Sequence, residues 1–172
     1  MKQINSSIIG STAIAEAHIL AMNSIGINLN EIATRNGSKN LEKLRKKYNI
    51  NQLLPKDWKT LISTTNSNLI VIATNSNLHE EISGFSLDSG KHVLCEKPGW
   101  YMKDINRTKN LDFLRFSYNR RFYSWVLPLK NILSLSKNKI KLTLDLVEYK
   151  EDFDKYYEIT SHYIDLVNFL LG

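Results

Sequence analysis

Apolar and polar positions repeat with two different periods along the chain, and the switches between them mark its elements. Ile4 to Ile9 reads as a short strand, broken at Gly10 and followed by Ser11 to Met22, a run of good helix formers. Leu29 to Ala33 offers a second strand, ending at Thr34-Arg35-Asn36-Gly37. In Lys39 to Tyr48, Leu41, Leu44 and Tyr48 fall at helical spacing, so the many charges occupy an outward face. A short helix is predicted over Asp57 to Ile62. Leu69 to Ala73 is an uninterrupted apolar run, the pattern of a parallel strand covered on both faces. Glu80 to Leu87 reads as a helix and Lys91 to Glu96 as a strand, stopped by Pro98, which has no N–H and a fixed φ. Alternation of strand and helix through residue 98 implies an α/β fold with a doubly wound parallel sheet.

Farther on, the spacing predicts a helix near Phe122 to Leu135 and a strand over Lys139 to Val147, where apolar and polar residues alternate. A lone strand leaves its backbone and its apolar face unsatisfied. It must join the first sheet, pair with the same strand of a second subunit, or meet a missing partner, and a homo-oligomer through 139–147 is the expectation. Tyr149 to Tyr157 reads as a charged, aromatic loop. The carboxylates of Glu148, Glu151, Asp152 and Asp154 match no metal-ligand spacing, so no metal is expected.

Strand, glycine turn and helix is how a dinucleotide-binding fold opens, with the pyrophosphate at the helix N-terminus. Gly10 fits the first of the three small positions and Ala15 the third, but Thr12 stands at the second. Its branched side chain either weakens the close phosphate contact or reroutes it through the hydroxyl; a strand-turn-helix without ligand is the alternative. Roughly 20 residues beyond the glycines, where NAD-preferring folds place an acid, stands Thr34, followed by Arg35. That pair suits a 2′-phosphate, so NADP(H) is slightly favoured over NAD(H), unless Arg35 is only a loop residue. The polar loop Thr74 to His79 follows the third strand at its carboxyl end, where open α/β sheets bind ligands. Pro98 pushes Lys97 toward extended backbone, so its amine is either aimed for catalysis or a solvated strand end.

The turn at Gly10 with Ile14-Ala15-Glu16-Ala17-His18, the loop Ala73 to His79, and above all Gly90-Lys91-His92-Val93-Leu94-Cys95-Glu96-Lys97-Pro98 resemble the Gfo/Idh/MocA oxidoreductases. Tyr118-Asn119-Arg120-Arg121-Phe122 resembles the segment leaving that family's nucleotide domain, and His162 to Gly172 its active-site helix. The resemblance implies a Rossmann-type domain over 1–118 and an abbreviated α+β domain over 119–172. It implies hydride transfer between NAD(P) and a sugar, nucleotide sugar or polyol. Lys97, before a proline bond that is often cis, would hydrogen-bond the reacting oxygen. His162 would be the acid/base, oriented by Glu158, which replaces the usual aspartate. Cofactor contacts would come from Gly10, Ser11, Thr12, Ala13, Ile14, Thr34, Arg35, Ala73, Thr74, Asn75, His79, Glu96 and Lys97. Substrate would meet Lys97, Asn119, Arg120 and His162. Asn75 stands where the family commonly has proline. Because the family's second domain is larger than 119–172, the alternative is a shortened, non-catalytic relative that binds a nucleotide or a protein partner.

Composition adds limits. The net charge of +6 is spread along the chain apart from Lys39 to Lys47, which argues for a solvated helix face against a nucleic-acid footprint. No apolar run approaches the roughly 20 residues of a membrane span, and Met1 to Gly10 lacks the pattern of a signal peptide. The expectation is a cytoplasmic protein without membrane contact. The single cysteine, Cys95, lies in a strand and is expected to be a small buried hydrophobe.

Overall fold

The apolar runs read as strands pair with one another in parallel. The computed structural model describes residues 3–34, 38–50, 57–99, 109–136, 139–143 and 153–172, with backbone alone over 153–158. They divide into two compact units, Met1–Phe116 and Ser117–Gly172.

In the first unit, β1 (Asn5–Ile9), β2 (Asn28–Ala33), β3 (Leu69–Ile72), β4 (His92–Cys95) and β5 (Leu114–Phe116) form a five-stranded sheet in the order β2-β1-β3-β4-β5. Every pairing is parallel. Parallel neighbours require crossovers, and helices supply them: α1 (Ala13–Ser24) joins β1 to β2, α2 (Lys39–Tyr48) and α3 (Trp58–Thr64) lie between β2 and β3, and α4 (His79–Asp88) joins β3 to β4.

Successive side chains of a strand point to opposite faces, and here each face meets its own apolar layer. Ile70 and Ile72 of β3 join Leu61 and Ile62 of α3 and Ile82 and Leu87 of α4. Val71, between them, joins Ile8, Ala15, Ile19 and Leu44 on the other face, with α1 and α2. That two-sided burial is why the central strands are continuously apolar. The chain winds from β1 outward to β2 and then back to β3 on the far side of β1. β1 and β3 therefore flank the switch point, where such sheets bind ligands at their carboxyl ends.

At the opposite end of the sheet the buried hydroxyls are satisfied. Ser7 Oγ meets Thr65 Oγ1 at 3.1 Å and donates to Ser67 Oγ at 2.9 Å, while Lys91 Nζ donates to the carbonyls of Thr65 and Ser67 at 3.0 and 2.8 Å.

The second unit is built on α5 (Val126–Ser134) and α6 (Phe153–Leu171), with a short 3-10 turn at Asn119–Phe122 before them. Val126 of α5 packs with Leu166 and Leu170 of α6, flanked by Leu129, Leu133 and Phe169. Two expectations change here. Lys139 to Thr143 form no strand, Leu144 to Val147 lie outside the described residues, and the α+β expectation finds no strand among the described residues of this unit. Alternation specifies a face but supplies no neighbour for the backbone. The loop expected over Tyr149 to Tyr157 is also overturned from Phe153 onward, where α6 begins. Phe153, Tyr156, Tyr157 and Thr160 recur at i, i+3, i+4 and i+7, a helical period the charges between them obscured. No described helix is long and apolar enough to cross a membrane.

Candidate functional site

Register brings the carboxyl ends of the strands level. Ile9 pairs with Ala33 and Ile72, and Ile72 pairs with Cys95. The next residue on each strand therefore falls in one row along the sheet edge: Thr34, Gly10, Ala73 and Glu96. Backbone bonds extend the ladder through this row, from Gly10 N to Ala33 O (2.8 Å), Ala73 N to Ile9 O (2.8 Å) and Glu96 N to Ile72 O (2.9 Å). Gly10 sits at φ +126°, and a Cβ there would lie 2.2 Å from the Ala73 carbonyl oxygen. The glycine is thus required by a close approach of two strands as well as by its left-handed backbone.

A cavity of about 500 Å³ opens above this row, a size suited to a ligand site. Gly10, Ser11, Thr12, Thr34, Thr74 and Asn75 line it. Thr12 is the N-cap of α1, extended at φ −82°, a conformation open to any residue, and its hydroxyl makes no capping bond. Thr12 is exposed to the cavity while Ser11 is buried behind it. Ser11 Oγ is shared between Thr34 Oγ1 at 3.1 Å and Ser38 Oγ at 2.8 Å. Ser38, Asn40, Asp57 and Trp58 complete the wall on the β2 side, and no motif singled them out. Arg35 lies outside the described residues.

The remaining predicted residues described in this unit do not line the cavity. Ala13 and Ile14 are exposed on the first turn of α1. His79 is buried, and its Nε2 lies 3.1 Å from the carbonyl of Thr74, which anchors the loop from behind. Glu96 Oε1 lies 2.8 Å from His18 Nε2 of α1, with both side chains largely covered. His18 went unassigned from sequence, although it stood in a quoted motif. Lys97 is half-buried in the turn that follows, and the Lys97–Pro98 bond is cis. Cys95, just before the turn, is fully buried, and that burial pushes its thiol up to about 12. Among the described residues no cluster of His, Cys, Asp and Glu is placed to hold a metal.

In the second unit, α6 carries His162, half-buried, with the Tyr118 ring edge-on at 5.9 Å. Arg120 stacks over the Tyr163 ring at 3.9 Å, and Asn119 is exposed beside it. Arg121 donates through Nε to Asp165 Oδ2 at 2.6 Å and through Nη2 to Oδ1, a two-pronged pair that fixes the 3-10 turn to α6. Asp165 accordingly raises the Arg121 pKa, chiefly through those bonds. Glu158 lies on α6 by its backbone, one turn before His162, and its side chain lies outside the described residues.

A model of the Gfo/Idh/MocA oxidoreductases, an oxidoreductase family with an NAD-binding Rossmann fold, matches residues 4–111. The chain belongs to this family. An uncharacterized oxidoreductase of Schizosaccharomyces pombe is 28% identical over 138 residues, which cover 65% of this chain and 36% of that protein. A crystal structure of a probable dehydrogenase from Thermotoga maritima superposes with a TM-score of 0.79 at 22% identity, covering 98% of this chain and 55% of the other. The WlbA dehydrogenase from Bordetella pertussis, in complex with NADH and UDP-GlcNAcA, gives a TM-score of 0.76 at 20% identity, covering 99% of this chain and 60% of the other. This Gfo/Idh/MocA chain thus spans about a third of that yeast relative and somewhat over half of these two structures. Membership gives the sheet edge its name as a dinucleotide-binding fold. The four residues missed by motif reading, Ser38, Asn40, Asp57 and Trp58, are ordinary polar and aromatic residues brought to the cavity by two separate helix starts.

Proposed function

We propose that the chain is an NAD(P)-dependent oxidoreductase acting on a carbon–oxygen centre of a sugar, nucleotide sugar or polyol. The observation that carries this reading is the row Thr34, Gly10, Ala73, Glu96, with the 500 Å³ cavity lined by the first three. A dinucleotide fits the residues present. Gly10 allows close approach of backbone at the turn, the first amides of α1 point to where an anion would rest, and the Thr12 hydroxyl, spared from capping, is a donor for phosphate oxygen. The nicotinamide supplies hydride transfer when bound.

The chain's own residues do the rest. Lys97 hydrogen-bonds the reacting oxygen, and its ammonium stabilises charge as the carbon–oxygen bond order changes. His162 holds or accepts the hydroxyl proton, with Glu158 one turn away to orient it. Asn119 and Arg120 belong to the substrate side, and the stacking of Arg120 on Tyr163 fixes the direction in which its N–H groups are offered. The WlbA complex with a nucleotide sugar favours this substrate class.

Nicotinamide fluorescence during titration with NADH and NADPH is the first test, and saturable binding is expected. No binding at millimolar cofactor would overturn the proposal. Turnover is then measured on a panel of sugars, polyols and nucleotide sugars. Lys97→Ala and His162→Ala are each expected to lower kcat by about 10²-fold or more, with cofactor affinity nearly unchanged. Saturable binding with no turnover on any of them would point to a non-catalytic nucleotide-binding relative.

A further inference from the structure

The cavity has a polarity that the strand-end reading did not anticipate. Among its described lining residues Asp57 alone carries a charge, and that charge is negative. Asp57 is the N-cap of α3, so its backbone is set by the helix start and its carboxylate faces outward. Oδ1 accepts from Thr60 N at 3.0 Å and Oδ2 from Thr60 Oγ1 at 2.6 Å. A carboxylate oxygen can accept more than one hydrogen bond, and this side chain is exposed, so a ligand donor can reach it beside the Thr60 bonds and the backbone interactions of Lys59 and Asp57. The Thr60 bonds also hold the carboxyl below its ordinary range, which keeps it ionised near neutrality.

Thr34, Ser38, Asn40 and Trp58 line the same cavity. Trp58 is fixed in orientation by an edge-on contact with Phe85 at 5.6 Å. Lys59, next along α3, does not line the cavity; it lies over the Trp58 ring at 5.0 Å and pairs with Glu81 at 3.0 Å.

We infer that Asp57 supplies, from the start of α3, the carboxylate that NAD-preferring folds place at the end of the second strand, and that it selects NAD(H) against NADP(H). This rests on the dinucleotide reading above and deepens it. A ribose with two free hydroxyls brings donors that the exposed carboxylate of Asp57 accepts. A 2′-phosphate brings only acceptor oxygens and a charge of the same sign, into a wall whose other described groups are hydroxyls, an amide and an indole. Like charges brought to hydrogen-bonding distance repel, and no donor bond offsets that repulsion at Asp57. On this inference the absence of an acid at Thr34 is made good from another element, against the leaning toward NADP(H) drawn from Thr34 with Arg35, a residue outside the described ones.

The test is equilibrium titration of the full chain with NADH and with NADPH, followed by nicotinamide fluorescence. The parent chain is expected to bind NADH about tenfold tighter or better, the scale of one hydrogen bond to a charged group. Asp57→Asn and Asp57→Ser keep a good N-cap and remove the charge. Both are expected to weaken NADH about tenfold, to leave NADPH equal or improved, and so to bring the ratio near one. Asp57→Glu keeps the charge and is expected to keep the direction of preference. Equal binding of the two cofactors by the parent, a preference for NADPH, or an Asp57→Asn chain that loses both cofactors equally would overturn the inference while leaving a dinucleotide site in place. A parent chain that binds neither cofactor overturns the dinucleotide reading itself, and the inference with it.

Discussion

A methyl group at position 10 would meet the carbonyl oxygen of Ala73 at 2.2 Å and its carbon at 2.7 Å, in a backbone held at φ +126°. Both obstacles are main-chain atoms of the neighbouring strand end, so no side chain can swing aside. Gly10→Ala is expected to cost about 2 kcal/mol or more and to lower Tm by roughly 5–10 °C. Gly26→Ala provides the contrast: its φ is +73° but nothing lies within 4 Å of the added Cβ, so it is expected to cost only about 1 kcal/mol. Equal melting temperatures for the two variants in thermal denaturation would remove the close-approach argument. Gly10 was legible in the sequence because a glycine that ends an apolar strand and opens a helix marks a turn that side chains resist. Asp57 was not, because an aspartate before a short helix is first of all a cap, and only the fold brings that cap to the cavity that Thr34 and Ser38 also line.

The helix α3 shows how capping and pH are tied together. Thr60 donates to Asp57 through both its backbone N–H and its hydroxyl, and these bonds lower the carboxyl below 3.8. A group whose folded pKa is depressed contributes stability that is present above its unfolded value and is lost as pH falls through the folded one. The urea midpoint of the parent chain minus that of Asp57→Asn is therefore expected to be constant above about pH 5 and to shrink as pH falls below 3.8 toward 2. A difference independent of pH would refute the assignment. Among the elements themselves, β3 was plain in the sequence because burial on both faces demands an unbroken apolar run. β5 was missed: Leu114-Arg115-Phe116 is three residues with a charge at the centre, paired only with β4 in the sheet. The first turn of α6 was missed for a related reason, since Asp154, Lys155 and Glu158 mask the aromatic spacing.

The two units differ in what they bury. Met1–Phe116 encloses an apolar layer on each face of its sheet, with ten buried residues in one layer and ten in the other. Among its described residues Ser117–Gly172 has three buried apolar residues in its cluster, and Phe122, Trp125, Leu127, Ile132 and Leu135 are exposed. Large apolar side chains left in water favour association. A fragment of residues 1–118 is therefore expected to unfold cooperatively, to bind NADH within about threefold of the full chain, and to sediment as a monomer. The full chain is expected to sediment as a dimer or larger at micromolar concentration, through the apolar surface of its second unit. Turnover is expected only in the full chain, because His162 and Glu158 lie beyond residue 118. A fragment that fails to bind NADH while the full chain succeeds would mean that the second unit completes the cofactor site. A monomeric full chain would mean that the exposed apolar residues of the second unit are not an interface between copies. Since binding and association are measured on the same two samples, each result bears on one unit without being read through the other.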